Sequence, residues 1–261
     1  MAVVDLLERD AIAAFCRRNP FLHVYELGDL DDFFWPHTRW FGWEEDGVLG
    51  QLALLYTEPP VPVLLALAER PHRAMARLLA DVLPMLPDRL YAHVTPALLG
   101  ALEERYEIEQ HGLHLKLGLT GTDRLPAGTA ELMGSDQIGE VEAFYARAYP
   151  GTWFQPRMLE SGRYVGLREG DALACVAGVH VYSPTWRVAA LGNVATAPEL
   201  RGRGLATRAC GALCRLLLDD GIETIGLNVR ADNLPAIAAY RKLGFEVVAE
   251  YVEASLGLRS T

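Results

Sequence analysis

The chain has 261 residues, room for one large domain or two ordinary ones at roughly 100–200 residues each. Half of it (51%) is apolar and 22% is charged, which supplies a full core and excludes disorder as the main state. A net charge of −10, from 34 acids against 24 bases, excludes the basic footprint of a general nucleic-acid binder.

No apolar run reaches the ~18 residues that cross a bilayer, and the start, Met1 to Arg9, carries acids where a signal peptide would be basic. The expectation is a soluble cytoplasmic protein with no membrane partner. Cys16, Cys175, Cys210 and Cys214 are too few and too scattered for a disulfide framework. With no Cys-x-x-Cys and no histidine cluster, no metal is expected. Lys116 and Lys242 are the only lysines, so each arginine is judged by its local context rather than by abundance.

In chain order, residues 1–20 read as a helix, with Leu6, Leu7, Ala11, Ile12 and Phe15 at helical spacing and Asn19-Pro20 as the stop. Phe21 to Trp43 is dense in aromatics, which usually means packing. Trp40–Trp43 and Val48–Tyr56 predict a hairpin turning at Asp46-Gly47. Then come a strand at Val61–Leu67, a helix at Pro71–Leu83, a strand at Leu90–Val94, a helix at Pro96–Tyr106, and a strand pair or bent strand at Glu107–Leu119. Gly118 to Gly128, with three glycines and Pro126, has neither helical nor strand period and reads as a linker.

The second half starts afresh. Strand Ala130–Met133 and helix Asp136–Ala148 lead to a helical stretch near Pro156–Glu160 and to strands Tyr164–Arg168, Ala172–Tyr182 and Arg187–Thr196. Helix Gly204–Asp219, strand Thr224–Val229, helix Leu234–Leu243 and strands within Phe245–Leu256 complete it. The first half shows a rougher form of the same order. The predicted class is α/β (α+β) with two related domains in tandem, 1–120 and 129–261, joined by a linker at 121–128.

Two segments carry chemistry. In Leu191 to Arg208 an apolar strand runs through Pro198 into a loop with Gly202 and Gly204, and a helix follows at once. That unit gathers backbone N–H groups and the positive end of a helix dipole at one point, an anion site suited to phosphate. Glycines leave the backbone open to a pyrophosphate, and Arg201 and Arg203 add charge. The absence of Gly-Lys-Ser/Thr rules out a nucleotide P-loop, and Thr207 stands where a dinucleotide motif needs its third glycine. In Gly226 to Phe245, Asn233 reads as an N-cap with Pro235 in the first turn. Ile237, Tyr240 and Leu243 recur at helical spacing, and Gly244 closes the helix.

Here the chain resembles a family. Arg201-Gly202-Arg203-Gly204-Leu205-Ala206 fits the Gln/Arg-x-x-Gly-x-Gly/Ala signature of the GNAT superfamily of acyl-CoA-dependent N-acyltransferases. Asn233, Ala236, Tyr240 and Leu243-Gly244-Phe245 resemble its second motif, and the likeness covers about residues 130–256. It implies tandem GNAT-like domains, each a mixed, mostly antiparallel sheet flanked by helices, the first lacking the glycine loop. This organisation resembles the two-domain glycine N-acyltransferase-like branch. It also implies acetyl-CoA, or another acyl-CoA, as co-substrate. Backbone groups of Val194 and Thr196, with Ala195 between, would pair with the pantetheine arm. Amides from Arg201 to Ala206, helped by Thr207, would hold the pyrophosphate. Asn233 would contact pantetheine or hold the helix start, and Tyr240 would give its proton to the departing thiolate.

The base is open between His180 and Asn193, the latter only by orienting a water, with Glu142 and Tyr149 more remote. Arg241 and Lys242 are expected on an exposed helix face. The leading expectation is an N-acyltransferase acting on a primary amine of a small molecule or amino acid, as monomer or homodimer. Its rivals are an acyl-CoA-binding module without turnover and an acetyltransferase acting on protein termini or lysines.

Overall fold

The computed structural model describes residues 2–45 and 47–259, with Asp46 of the predicted hairpin turn outside the described set. It divides into two compact units: 1–116 with 230–232 and 248–261, and 117–229 with 233–247. The units do not follow the halves of the sequence, because the C-terminal strand contributes most of its length to the first.

The first unit has strands β1 (Ala2–Asp5), β2 (Thr38–Glu45), β3 (Val48–Tyr56), β4 (Val63–Ala66) and β5 (Arg89–Val94), joined by most of β6 (Tyr106–Leu119) and, from Val248, by the last strand. From β1 through β5 to the last strand, neighbours pair antiparallel except β4 with β5, which run parallel around helix α3 (Arg73–Val82). Met75, Leu78, Leu79 and Val82 recur at helical spacing on α3 and bury its stripe against Leu64, Ala92, Val94 and Ala254. Helices α1 (Arg9–Cys16) and α2 (Val24–Gly28) complete the unit.

Two expectations are corrected here. Residues 2–5 are an edge strand, not helix, because Val3 and Val4 pair with Trp43 and Gly42. Tertiary pairing overrides the weak periodicity of so short a segment. Pro96–Ala101 forms a 3-10 helix and not the predicted long helix, and β6 starts at Tyr106, whose buried ring donates its hydroxyl to Pro87 O.

The second unit has strand order β11 (Thr224–Arg230), β10 (Val188–Thr196), β9 (Ala172–Ser183), β8 (Val165–Glu169) and β7 (Glu131–Leu132). Pairing is antiparallel except β10 with β11, which bracket helix α5 (Leu205–Asp219) as β4 and β5 bracket α3. Helices α4 (Ile138–Ala148) and α6 (Leu234–Lys242) lie before and after this core. The predicted tandem of mixed, mostly antiparallel sheets flanked by helices is observed.

The linker is not a flexible spacer. Residues 118–119 belong to β6, Thr120 and Gly121 donate to Gly244 O, and Arg215 of α5 donates to Leu125 O and Pro126 O. Pro126 lies so close to Gly211 that a Cβ there would sit 2.7 Å from it. A Cβ on Gly244 would lie 2.1 Å from Gly121 O, so close approach is what requires glycine there.

Candidate functional site

Strands β10 and β11 pair only from Val188–Leu191 against Thr224–Leu227, although β10 continues to Thr196 and β11 past Asn228. Between them a wedge opens. Ala197 donates its N–H to Ala174 O on β9. By strand alternation Ala195 also faces β9, while the backbone groups of Val194 and Thr196 face the wedge. A β-bulge between Gly192 and Ala195 helps to open it, with Asn193 in a left-handed conformation at φ 52°. Asn228 Oδ1 lies buried with no hydrogen-bond partner among the described residues. Asn228 carries no motif, so nothing in the sequence singles it out.

Beyond the wedge, Gly202 (φ 78°) and Gly204 (φ 77°) both take left-handed conformations, and Gly204 is the N-cap of α5. An L side chain resists that conformation, so two glycines are what lets the chain turn at once into the helix. The first turn of α5, Leu205, Ala206 and Thr207, leaves N–H groups without intrahelical acceptors. The arginine side chains do other work than expected. Arg201 donates to Thr196 O (3.3 Å) and Ala148 O (3.0 Å), so it braces the loop, and Thr196 offers the wedge its N–H but not a free carbonyl. Arg203 pairs with Glu169 on the surface. The backbone amides of the loop are therefore the groups left open to a ligand.

Asn233 caps α6, its Oδ1 accepting from Ala236 N, as the sequence predicts. Tyr240 is buried, with its ring edge-on to Phe245. Burial, then proximity to Cys210, Cys175, Tyr149 and Cys214, pushes its hydroxyl well above the usual range. It holds a proton throughout the neutral range. Cys175 in turn accepts from Thr196 Oγ1 (3.4 Å), so Tyr240 and the wedge strand share a neighbour. All four cysteines are buried and free, and burial pushes the Cys175 thiol up to about 11. Glu142 is exposed on α4, and Arg241 and Lys242 are exposed on α6.

The remaining candidates meet in one network. Asn193 Nδ2 donates to Tyr164 Oη (2.9 Å) and Trp153 O (3.3 Å), so its Oδ1 is the acceptor side. That oxygen takes Thr152 Oγ1 (2.9 Å) and faces His180 Nε2 (3.2 Å). Tyr145 Oη donates to Asn193 O (2.6 Å). His180 must then donate through Nε2–H, which leaves the lone pair on Nδ1. Tyr145, Thr152, Trp153 and Tyr164 have no sequence signature, since only the fold brings them to the bulge.

Glycines make room for two of these rings. A Cβ on Gly192 would lie 2.3 Å from the His180 ring, and one on Gly178 would lie 2.1 Å from that of Tyr164. Gly192→Ala is expected to push His180 off Asn193 and to cost about 1–3 kcal/mol by overpacking. Thermal unfolding together with the histidine proton shifts checks this; an unmoved His180 resonance would contradict it.

Residues 130–245 match the profile of the Acetyltransferase (GNAT) family. A mycothiol acetyltransferase of Saccharomonospora viridis is 45% identical over 60 residues, 23% of this chain and 20% of that protein. One from Corynebacterium aurimucosum is 25% identical over 293 residues, covering 95% of this chain and 94% of its own. For four of the curated relatives, that of Saccharomonospora viridis included, the match spans only 16% to 45% of their own length. Among solved structures, a tandem GNAT protein from the clavulanic acid biosynthesis pathway aligns with TM-score 0.58 at 20% identity, over 100% of this chain and 99% of that one. Over residues 130–245, just under half of its length, the chain is thus similar to the acetyltransferase (GNAT) family.

Proposed function

We propose that the protein is an N-acetyltransferase that moves an acetyl group from acetyl-CoA to an amine of a small molecule. The observation that carries this reading is the β10–β11 wedge leading into the glycine loop at the start of α5, with a protonated tyrosine near the wedge strand. Bound there, acetyl-CoA supplies an activated thioester carbonyl. The N–H of Thr196 and the backbone of Val194, flanking Ala195, would take the pantetheine as an added strand. Amides from Gly202 to Thr207 would hold the pyrophosphate, and a site made of amides needs no excess of bases, which reconciles a polyanionic ligand with an acidic chain. Tyr240 Oη would give its proton to the leaving thiolate. His180 Nδ1 is the base we favour for the incoming amine, with Asn193 fixing the tautomer and not itself taking a proton.

The mycothiol acetyltransferase relatives favour a small-molecule acceptor over a protein chain. The likeness to a glycine N-acyltransferase-like branch rests on organisation alone. In the first unit the loop that corresponds to 197–204 runs Leu67-Ala68-Glu69-Arg70-Pro71-His72, with no glycine and with Pro71 lacking an N–H. We read that unit as one that has given up a phosphate loop. Thiol release from acetyl-CoA, measured against a panel of amino sugars, amino acids and the acceptor of the mycothiol acetyltransferases, tests the reading. Release with at least one amine is expected. Tight acetyl-CoA binding with no release from any of them would favour a binding module instead.

A further inference from the structure

In the first unit, β5 and the last strand, β12 (Phe245–Leu258), alternate cleanly between two faces. Leu90, Ala92, Val94, Ala254 and Leu256 enter the core beneath α3. The opposite face carries Tyr91, His93, Tyr251, Glu253 and Ser255, with Glu253 directly across from His93 and Ser255 across from Tyr91. Strand β6 adds His111, His114 and Lys116. So polar a surface on a sheet packed elsewhere with aliphatic residues has no structural need, since sheet faces are buried most cheaply by apolar groups.

Glu253 is the centre of it. Its carboxylate accepts from Tyr91 Oη and from Tyr251 Oη (2.8 Å), and its side chain is 19% exposed. His93 Nε2 lies 3.6 Å and His114 Nε2 3.5 Å from the same oxygen, Oε1, too far for good hydrogen bonds. His114 Nδ1 faces Gly112 O at 3.1 Å. A carbonyl only accepts, so in the neutral ring Nδ1 carries the hydrogen and the Nε2 lone pair points at the carboxylate. Burial pushes His93 down to about 4, so its ring is neutral at pH 7. Although burial alone would raise Glu253, the charge that His93 takes on at low pH and the bond from Tyr91 outweigh it and hold the carboxyl below the usual carboxylate range, so it is ionised at pH 7. The result is a half-buried carboxylate with no lysine or arginine partner among the described residues, an arrangement that is costly unless something cationic fills it.

The walls point to what fills it. The Tyr251 ring lies 5.0 Å from that of His93 and 5.3 Å from that of His114, and Tyr91 is stacked on His111 at 5.5 Å. Tyr251 itself is buried and packs near Lys116, whose Nζ is 5.8 Å from its centroid and 4.8 Å from that of Tyr25. Aromatic faces around a carboxylate are the chemistry of ammonium recognition. Among the described residues no group of three His, Cys, Asp or Glu side chains could hold a metal ion. We propose that the first unit binds an organic primary ammonium ion, whose N–H donors reach Glu253 and the Nε2 atoms of His93 and His114 while its carbon skeleton lies against the half-buried ring of Tyr91. This inference does not depend on the acetyl-transfer reading, because the site lies in the unit without the glycine loop and needs no acyl-CoA.

The test uses the full chain without acetyl-CoA and follows binding by ligand-observed NMR, with cyclohexylammonium as probe and cyclohexanol as its neutral counterpart. The ammonium is expected to bind at least tenfold more tightly than the alcohol. Glu253→Gln should weaken it tenfold or more, while the alcohol is unaffected. Tyr91→Phe, which leaves the carboxylate in place but removes one of its hydrogen bonds, should weaken it severalfold and serves if Glu253→Gln does not fold. Equal binding of the alcohol, or unchanged ammonium affinity in the folded variants, overturns the proposal. A Gly204→Glu chain should bind the ammonium as the wild type does, whatever becomes of its acetyl-CoA site.

Discussion

Gly204→Glu is expected to raise the dissociation constant for acetyl-CoA at least a hundredfold while the protein still folds. The residue caps α5 at φ 77°, and nothing lies within 4 Å of where a Cβ would be placed. A side chain there meets open space, so the structural cost is backbone strain alone, about 1–2 kcal/mol for a left-handed non-glycine residue. The binding cost is larger. The added carboxylate sits among the amides proposed for the pyrophosphate and competes with it for the same donors, with like charge opposing like. Gly204→Ala separates the two effects, since it carries the strain without the charge and should lose far less affinity. Calorimetric titration of both variants, next to their melting temperatures, reads the difference. If the glutamate variant bound acetyl-CoA as tightly as the alanine variant, the phosphate would not be resting on this loop.

In the second unit nearly every element boundary falls within one or two residues of where the amino-acid pattern puts it. Pro198, Gly204, Asn233, Pro235 and Gly244 each fix the local backbone for a reason that depends on no distant partner. The glycine loop and the helix that carries Tyr240 are legible in the sequence for the same reason. What stays hidden depends on pairing across the chain. The edge strand at 2–5 exists because Trp43 and Gly42 lie opposite it, and the linker is held by Gly244 and Arg215 far downstream. The wedge is a property of two strands whose pairing stops at Leu191, which neither strand reveals alone.

The site divides along the same line. His180 and Asn193 can be named from the residue types they offer, but their relation cannot. Asn193 is held by Tyr145, Thr152, Trp153 and Tyr164 from three other segments, and the two acceptors among them, Trp153 O and Tyr164 Oη, orient its amide and so assign the histidine tautomer. Arg201 shows the converse. A motif places an arginine in the glycine loop, yet the side chain is spent on Thr196 O and Ala148 O, which leaves the proposed phosphate contacts to the backbone. Motif residues thus mark where chemistry happens more reliably than they say which atoms perform it.

Tyr240→Phe tests the chemical step itself. The expected result is a fall in kcat of about 10²- to 10⁴-fold, the usual contribution of a positioned acid, with little change in affinity for acetyl-CoA. The ring is buried against Phe245 and phenylalanine fills the same space, so stability should shift by less than about 1 kcal/mol. The pH dependence carries the sharper information. Burial holds the Tyr240 hydroxyl well above its usual value near 10, so its proton is present wherever the acceptor amine is neutral. In the wild type the rate should therefore rise with pH as amine and base deprotonate, with no fall up to about pH 10. In the phenylalanine variant the rising limb should persist at the reduced level, because the base is untouched and only the donor is gone. Solvent water then becomes the proton source for the thiolate. Steady-state rates from pH 6 to 10, with a single-turnover measurement to isolate chemistry from product release, give both quantities. A variant that matched the wild type across that range would show that the thiolate leaves without help from Tyr240, and the proton would have to come from water already held in the wedge.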